Sequence, residues 1–207
     1  MSRIKCKKTL FSVALLFVLS VTLLSYSINI QKSISSKVIR LHILANSNSS
    51  SDQTLKIKVR DRILKESSAL FENVSDKAEC RVLMEKEMPH IISAAEDEIR
   101  KNGFSYSVDA SFGIHRFPMK VYDNFALPSG EYEALRIEIG KAEGENWWCV
   151  MFPPLCFVDG SVENPLKGTL SAEELALTST KGGVNLRFKT VDFLSSSVTS
   201  FKTAFKK

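Results

Sequence analysis

The chain has 207 residues and carries 28 basic against 23 acidic side chains, a formal charge of +5. The excess is local: Arg3, Lys5, Lys7 and Lys8 open the chain, no acidic residue appears before Asp52, and the other 24 basic residues nearly balance the 23 acidic ones. A near-neutral body of about 170 residues has no electrostatic footprint for nucleic acid and is large enough for one domain with its own core.

An uncharged run follows the basic cluster from Thr9 to Ile30, with its apolar heart at Leu10–Leu24. A basic start and an apolar segment mark export, so the rest of the chain is expected to work outside the cytoplasm. The heart is shorter than the roughly 20 residues of a spanning helix, and Ser25 and Ser27 supply a small-x-small pattern. Residues 1–27 are therefore expected to form a signal peptide cut after Ser27. The alternative is a retained anchor lengthened by Tyr26, Ile28 and Ile30. Residues 28–37, with Ser33, Ser35 and Ser36, read as a spacer, and 38–207 as a single exported α+β domain. Cys6 precedes the apolar run, so it is not the lipid-bearing cysteine that follows one.

Val38–Leu44 is rich in branched apolar residues and predicts a buried strand with Arg40 and His42 on one face. Ala45–Ser51 is turn-prone. Ser50 with Gln53 suggests a capping box, followed by a helix over about Asp52–Phe71 with Leu55, Val59, Ile63 and Leu70 near one stripe. Asp52–Lys56 and Asp61–Lys65 have the spacing of ion pairs one turn apart. A second helical region starts near Asp76, with Glu79 as its box partner. Pro89 ends it, kinks it or begins a new helix, Ile91, Ile92, Ala95 and Ile99 form the next stripe, and Gly103 is the stop.

From Phe104 the period changes to two. Tyr106, Val108, Ala110 and Phe112 alternate, and Met119–Tyr122, Ala134–Ile139 and Trp147–Met151 follow as strands. Ser171 with Glu174 caps a short helix stopped by Gly182-Gly183, and Val184–Val191 reads as strand. Val191, Leu194, Val198, Phe201 and Phe205 give a C-terminal amphipathic helix with lysines in its last turn. Strand, helices, several antiparallel-type strands and a final helix indicate an α+β fold with a mainly antiparallel sheet. The Phe201/Phe205 stripe reads as core packing.

Past the leader the cysteines are Cys80, Cys149 and Cys156. Cys149 and Cys156 flank Pro153-Pro154, which forces a bend, so a local disulfide is sterically feasible; the alternative is three small buried thiols. There is no Cys-x-x-Cys, and His42, His90 and His115 are far apart in sequence, so no metal site is expected.

Two stretches carry a resemblance. Arg40-Leu41-His42-Ile43-Leu44-Ala45-Asn46-Ser47 leads into Asp52-Gln53 and Lys56-x-Lys58-Val59-Arg60-Asp61, and Trp147-Trp148-Cys149 is followed by Pro153-Pro154-Leu155-Cys156. Together they resemble the stage II sporulation protein R family of endospore-forming bacteria. The resemblance implies a signalling protein rather than an enzyme. It would be made in the forespore, exported into the space between the two surrounding membranes, and would there activate a membrane-embedded aspartic protease that processes the sigma factor E precursor. No cofactor and no small-molecule substrate are implied.

Arg40, His42, Asn46, Asp52, Gln53, Lys56, Arg60 and Asp61 are candidates for a polar surface read by that protease, although turns, caps and solvated helix faces use the same residue types. Trp147 and Trp148 point to opposite faces of a strand, which makes one of them, taken as Trp148, a candidate interface anchor. An exported hydrolase is the rival class, with no Gly-x-Ser-x-Gly, no His-Glu-x-x-His and no phosphate loop to support it. An envelope or spore-assembly protein is a third, which would show oligomers and a broad apolar patch.

Overall fold

The computed structural model describes residues 2–71, 74, 76–122, 124–157 and 166–180. Its organising element is β1 (Ile39–Leu44), the apolar run expected as a strand, which is buried along its whole length. Two neighbours cover its edges: β5 (Gly130–Ile139) runs parallel to it and β6 (Asn146–Phe152) antiparallel. β2 (Val108–Phe117) pairs antiparallel with the far side of β5, giving the order β2-β5-β1-β6. A short antiparallel ribbon, β3 (Lys120–Val121) and β4 (Ala126–Leu127), stands apart. The fold is thus α+β with a mostly antiparallel sheet. The parallel β1–β5 pair requires a crossover, which passes through the helices between them.

Those helices are α2 (Ser50–Phe71) and α3 (Lys77–Lys101). α2 begins two residues before its expected start, because the cap is Ser49 rather than Ser50. The Ser49 hydroxyl accepts from the Asp52 amide at 3.2 Å, and the Ser49 carbonyl takes the Gln53 amide at 3.0 Å. The stripe residues Leu55, Val59 and Ile63 are buried as their spacing requires. α3 is capped by Asp76, whose carboxylate accepts from the Glu79 amide. It continues through Pro89. A proline inside a helix costs about 3 kcal/mol, but Met84 before it and Ile91, Ala95 and Ile99 after it all pack on one core, and that burial carries the helix across the missing amide. α3 closes as a Schellman turn: Gly103, at φ +81°, donates to the Arg100 carbonyl while Phe104 donates to that of Ile99.

Alternation gives the sheet two different faces. Ile39, Leu41 and Ile43 of β1, with Leu135, Ile137 and Ile139 of β5, meet α2 and α3 in the main core. Arg40 and His42 point the other way. That second face is covered over part of its area by Phe117, Tyr132, Phe125, Leu127, Leu166 and Leu170 and by Ile34 and Val38. α4 (Ala172–Thr178) lies on this side with a complete capping box between Ser171 and Glu174. It ends at Thr178, short of the expected glycine stop, with Ser179 as its C-cap. Gly182-Gly183, the Val184–Val191 strand and the Val191–Phe205 helix lie outside the described residues.

The N-terminal segment is one helix, α1 (Ser2–Lys37). From Leu10 it is long and apolar enough to cross a membrane, and none of that apolar stretch is buried in the body. Residues 28–37, expected as a spacer, are instead its last turns, and Ile34 is fully buried among the second-face residues. Only Val38 separates α1 from β1.

Candidate partner-binding surface

The nine candidate residues divide according to the face on which each stands. Arg40, His42, Asp52 and Lys56 are buried, each at 6% exposure or less, so they are not the polar surface their sequence suggested. Asn46, Gln53, Arg60 and Trp148 are half-buried and Asp61 is exposed.

Asn46, Asp52, Gln53 and Lys56 belong to one network that ties the loop after β1 to the β5–β6 connection. Asp52 accepts from the Asn46 side-chain amide at 2.8 Å and from the Ser47 hydroxyl at 2.6 Å. The Asn46 side-chain oxygen accepts from the Lys141 amide at 3.0 Å, and Gln53 donates to the Ser47 carbonyl at 2.9 Å. Lys56 donates to Gln53 Oε1 at 2.6 Å and to the Glu145 carbonyl at 2.9 Å. The expected Asp52–Lys56 ion pair is therefore replaced, because Asp52 turns to the loop after β1 and Lys56 to Gln53 and the β5–β6 connection. Hydrogen bonds, that of Ser47 foremost, hold the Asp52 carboxyl below its ordinary range against the upward push of burial. Burial moves the Lys56 ammonium down. Gly144 completes the join: its amide donates to the Ala45 carbonyl at 2.9 Å, and a Cβ there would collide with the Ser47 backbone.

Arg40 is the largest fully buried side chain among the described residues. Its guanidinium carbon lies 4.2 Å from the centre of the Phe117 ring and 5.0 Å from that of Tyr132, and Nη2 donates to the Tyr122 hydroxyl at 2.6 Å. Nε and Nη1 have no hydrogen-bond acceptor among the described residues, so ring faces hold the cation instead. Burial raises the Tyr122 hydroxyl, and Arg40 pulls it back.

Further along the same face the cover ends. His42 is sandwiched there: its ring stacks on the Trp148 indole, and its Nε2 shares a 2.6 Å hydrogen bond with the Asn146 side-chain oxygen. Burial lowers its pKa to about 4, with the Asn146 bond opposing, so it is neutral at pH 7. Phe117 meets the Trp148 indole edge-on at 4.7 Å. Beside them Arg136 and Glu138 pair at 2.7 Å with about a third of each side chain exposed, and His115 and Ser111 lie across β5 on β2. Among the described residues this half-open patch, an indole flanked by an ion pair, is a part of the second face that remains accessible. On the opposite face Arg60 covers the Trp147 ring at 4.2 Å and pairs with Asp61. Both tryptophans are thus half-buried, on opposite faces of β6.

Cys149 and Cys156 are joined by a disulfide, Cα–Cα 5.9 Å, linking β6 to the turn after Pro153-Pro154, and Cys80 is a buried free thiol. Among the described residues no group of three or more His, Cys, Asp or Glu side chains is placed to hold a metal. Sequence reasoning missed Arg136, Glu138, Asn146 and Glu174. The first three became visible only with the strand register, and Glu174, noted as a cap, also reaches α1.

The arrangement defines a small α+β body carried on an apolar helix of membrane-crossing length, its buried polar residues engaged in holding loops and helices together. The stage II sporulation protein R family model matches residues 35–162, and the chain belongs to that family. It is 42% identical over 125 residues to stage II sporulation protein R of Bacillus subtilis (strain 168), a match that covers 60% of this chain and 56% of that protein. The match thus spans little more than half the length of that relative. No solved structure matches.

Proposed function

We propose that this sporulation protein is an exported signal that activates a membrane-embedded aspartic protease, leading to processing of the sigma factor E precursor on the mother-cell side of the forespore envelope. The observation that carries the reading is the family match, which runs through both motif stretches and most of the described body. Two features support it. The apolar helix suits a protein that meets its target at a membrane, and the Cys149–Cys156 disulfide suits an extracytoplasmic compartment. The contact surface in this reading is the half-open patch of Trp148, Arg136 and Glu138, an aromatic anchor beside polar groups of the kind that dominates interfaces.

The test is co-production of protease and sigma precursor with and without the full chain. The expected result is processing only when the chain is present, and an Arg136→Ala/Glu138→Ala variant that accumulates normally yet lowers processing at least fivefold. Equal processing without the chain would remove the activator role. Full activity of the double variant would move the contact elsewhere on the body.

A further inference from the structure

The end of α1 is built into the body from three sides. Glu174 of α4 accepts from the Ser33 hydroxyl at 2.6 Å and from the Lys37 ammonium at 2.6 and 2.8 Å, while also capping its own helix through the Ser171 amide at 2.7 Å. Lys77 of α3 donates to the Ser36 carbonyl at 2.7 Å and bridges to Glu133 at 2.6 Å, where Arg81 joins it. Gln31 donates to the Ser129 carbonyl in the turn before β5, and Tyr26 donates to Glu173. Ile30 packs beside the fully buried Ile34 and Val38 on the second-face core. Burial alone would raise the Glu174 carboxyl, but Lys37, Ser33 and the Ser171 amide outweigh it and hold it at about 2, so Glu174 is a carboxylate at neutral pH.

The dimensions match a bilayer. Leu10 to Ile28 spans about 28 Å as helix, against a hydrocarbon core of about 30 Å. Large side chains along that stretch are exposed, Leu10 and Phe11 by 71% and 72%. The first contact with the body, Tyr26 to Glu173, falls in the last turn of that stretch, and the packing of Ile30 and the Gln31 bond to Ser129 follow just beyond it. Ser27, the expected cleavage position, is inside the helix with its hydroxyl on the Leu23 carbonyl at 2.9 Å. Cleavage there needs the backbone to leave the helix, and the clasp restrains the turns that would have to unwind.

We infer that α1 is retained as a single span and stalk, and that the clasp around Ile34, Lys37 and Glu174 seats the α4 end of the body on the lipid surface of the bilayer. The body is then an oriented, membrane-apposed domain, with the 140–145 connection at the opposite end of β1, about 20 Å along the strand. This assignment is independent of which protein the body contacts.

The experiment uses the full chain made in a secretion-competent bacterium. Intact mass and alkaline extraction are expected to show an uncut chain, residues 1–27 included, that stays in the membrane pellet. A soluble species beginning near Ile28 would overturn the inference. In vesicles holding a phospholipid with a photoreactive headgroup, crosslinks are expected on residues 172–178 at least fivefold above those on 140–145. An even distribution, or one favouring 140–145, would overturn the orientation. A Lys37→Ala/Glu174→Gln chain is expected to remain in the membrane while that ratio falls at least threefold; an unchanged ratio would show that the clasp does not set the orientation.

Discussion

The imidazole of His42 lies flat on the Trp148 indole, with ring centroids 3.8 Å apart and planes inclined by 11°, at paired positions of β1 and β6. Phe117 closes the stack from a third side, 5.8 Å from the imidazole. The stack holds His42 out of water, and it holds the one tryptophan of this face in a fixed orientation beside the open Arg136–Glu138 pair.

Stability is therefore expected to fall on mild acidification. The His42 pKa is about 4 in the folded chain against 6.5 for the ordinary side chain. The unfolded chain takes up the proton first, so the stabilisation is complete above about 6.5 and is lost as pH falls towards 4. Urea unfolding of the full chain in detergent, repeated across that window, checks the slope. His42→Gln cannot be protonated and is expected to remove most of it, and NMR should place the His42 midpoint near 4.

Arg40 offers a sharper comparison. Its cation is held by the Phe117 and Tyr132 rings and one hydroxyl, an arrangement that a lysine cannot reproduce. Arg40→Lys is expected to cost about 2–4 kcal/mol, because a buried ammonium is left without partners. Arg40→Met, similar in length and uncharged, should cost less. Tyr122→Phe should cost about 1–3 kcal/mol by removing the hydroxyl acceptor. Chemical unfolding of the three variants ranks them; an Arg40→Lys chain as stable as the parent would contradict the structural role.

Much of the fold was legible because local signals agreed. The apolar run at β1, the Asp76 and Ser171 caps, the Gly103 stop and the period-two stretches each state their own structure. Three features were not legible, for physical reasons. Pro89 breaks a local rule that tertiary burial overrides. The parallel β1–β5 pairing is a long-range choice that no window of sequence contains. The end of α1 reads as a polar serine-rich spacer because its partners, Glu174 and Lys77, lie far away in the chain. The candidate site shows the same division. Asn46, Asp52, Gln53 and Lys56 were visible as a motif, but whether such residues face solvent or lock a loop depends on the connection at residues 140–145. Arg136 and Glu138, by contrast, sit in an ordinary strand pattern that marks nothing.

The loop lock has its own test. Asp52→Ala removes the acceptor shared by Asn46 and Ser47 and is expected to cost about 1–3 kcal/mol. Gly144→Ala forces the Ser47 backbone away and is expected to open the same join. Hydrogen exchange reads both: the Gly144 and Glu145 amides, bonded to Ala45 and Asn48, should lose protection in each variant, while β1 keeps its own. An Asp52→Asn/Asn46→Ala double cycle should show coupling of about 0.5–3 kcal/mol, as neighbours in one network do.

The disulfide closes a short loop, since Cys149 and Cys156 are seven residues apart. Loop-closure entropy for that separation gives about 2.5 kcal/mol, within the range typical of native bridges. Cys149→Ser/Cys156→Ser is accordingly expected to lower stability by about 2–3 kcal/mol, and reduction of the parent chain should lower it by a similar amount. Cys149 packs towards the main core and Cys156 lies in the turn that follows the proline pair, so the effect should concentrate at the end of β6. Cys80 supplies the control. Burial pushes its thiol up to about 12, so it should neither react with a soluble alkylating agent in the folded chain nor exchange into the bridge. Mass spectrometry after mild alkylation should find Cys80 unmodified in the parent and in the double variant alike. Modification in the variant alone would mean that the bridge also keeps α3 closed over the core.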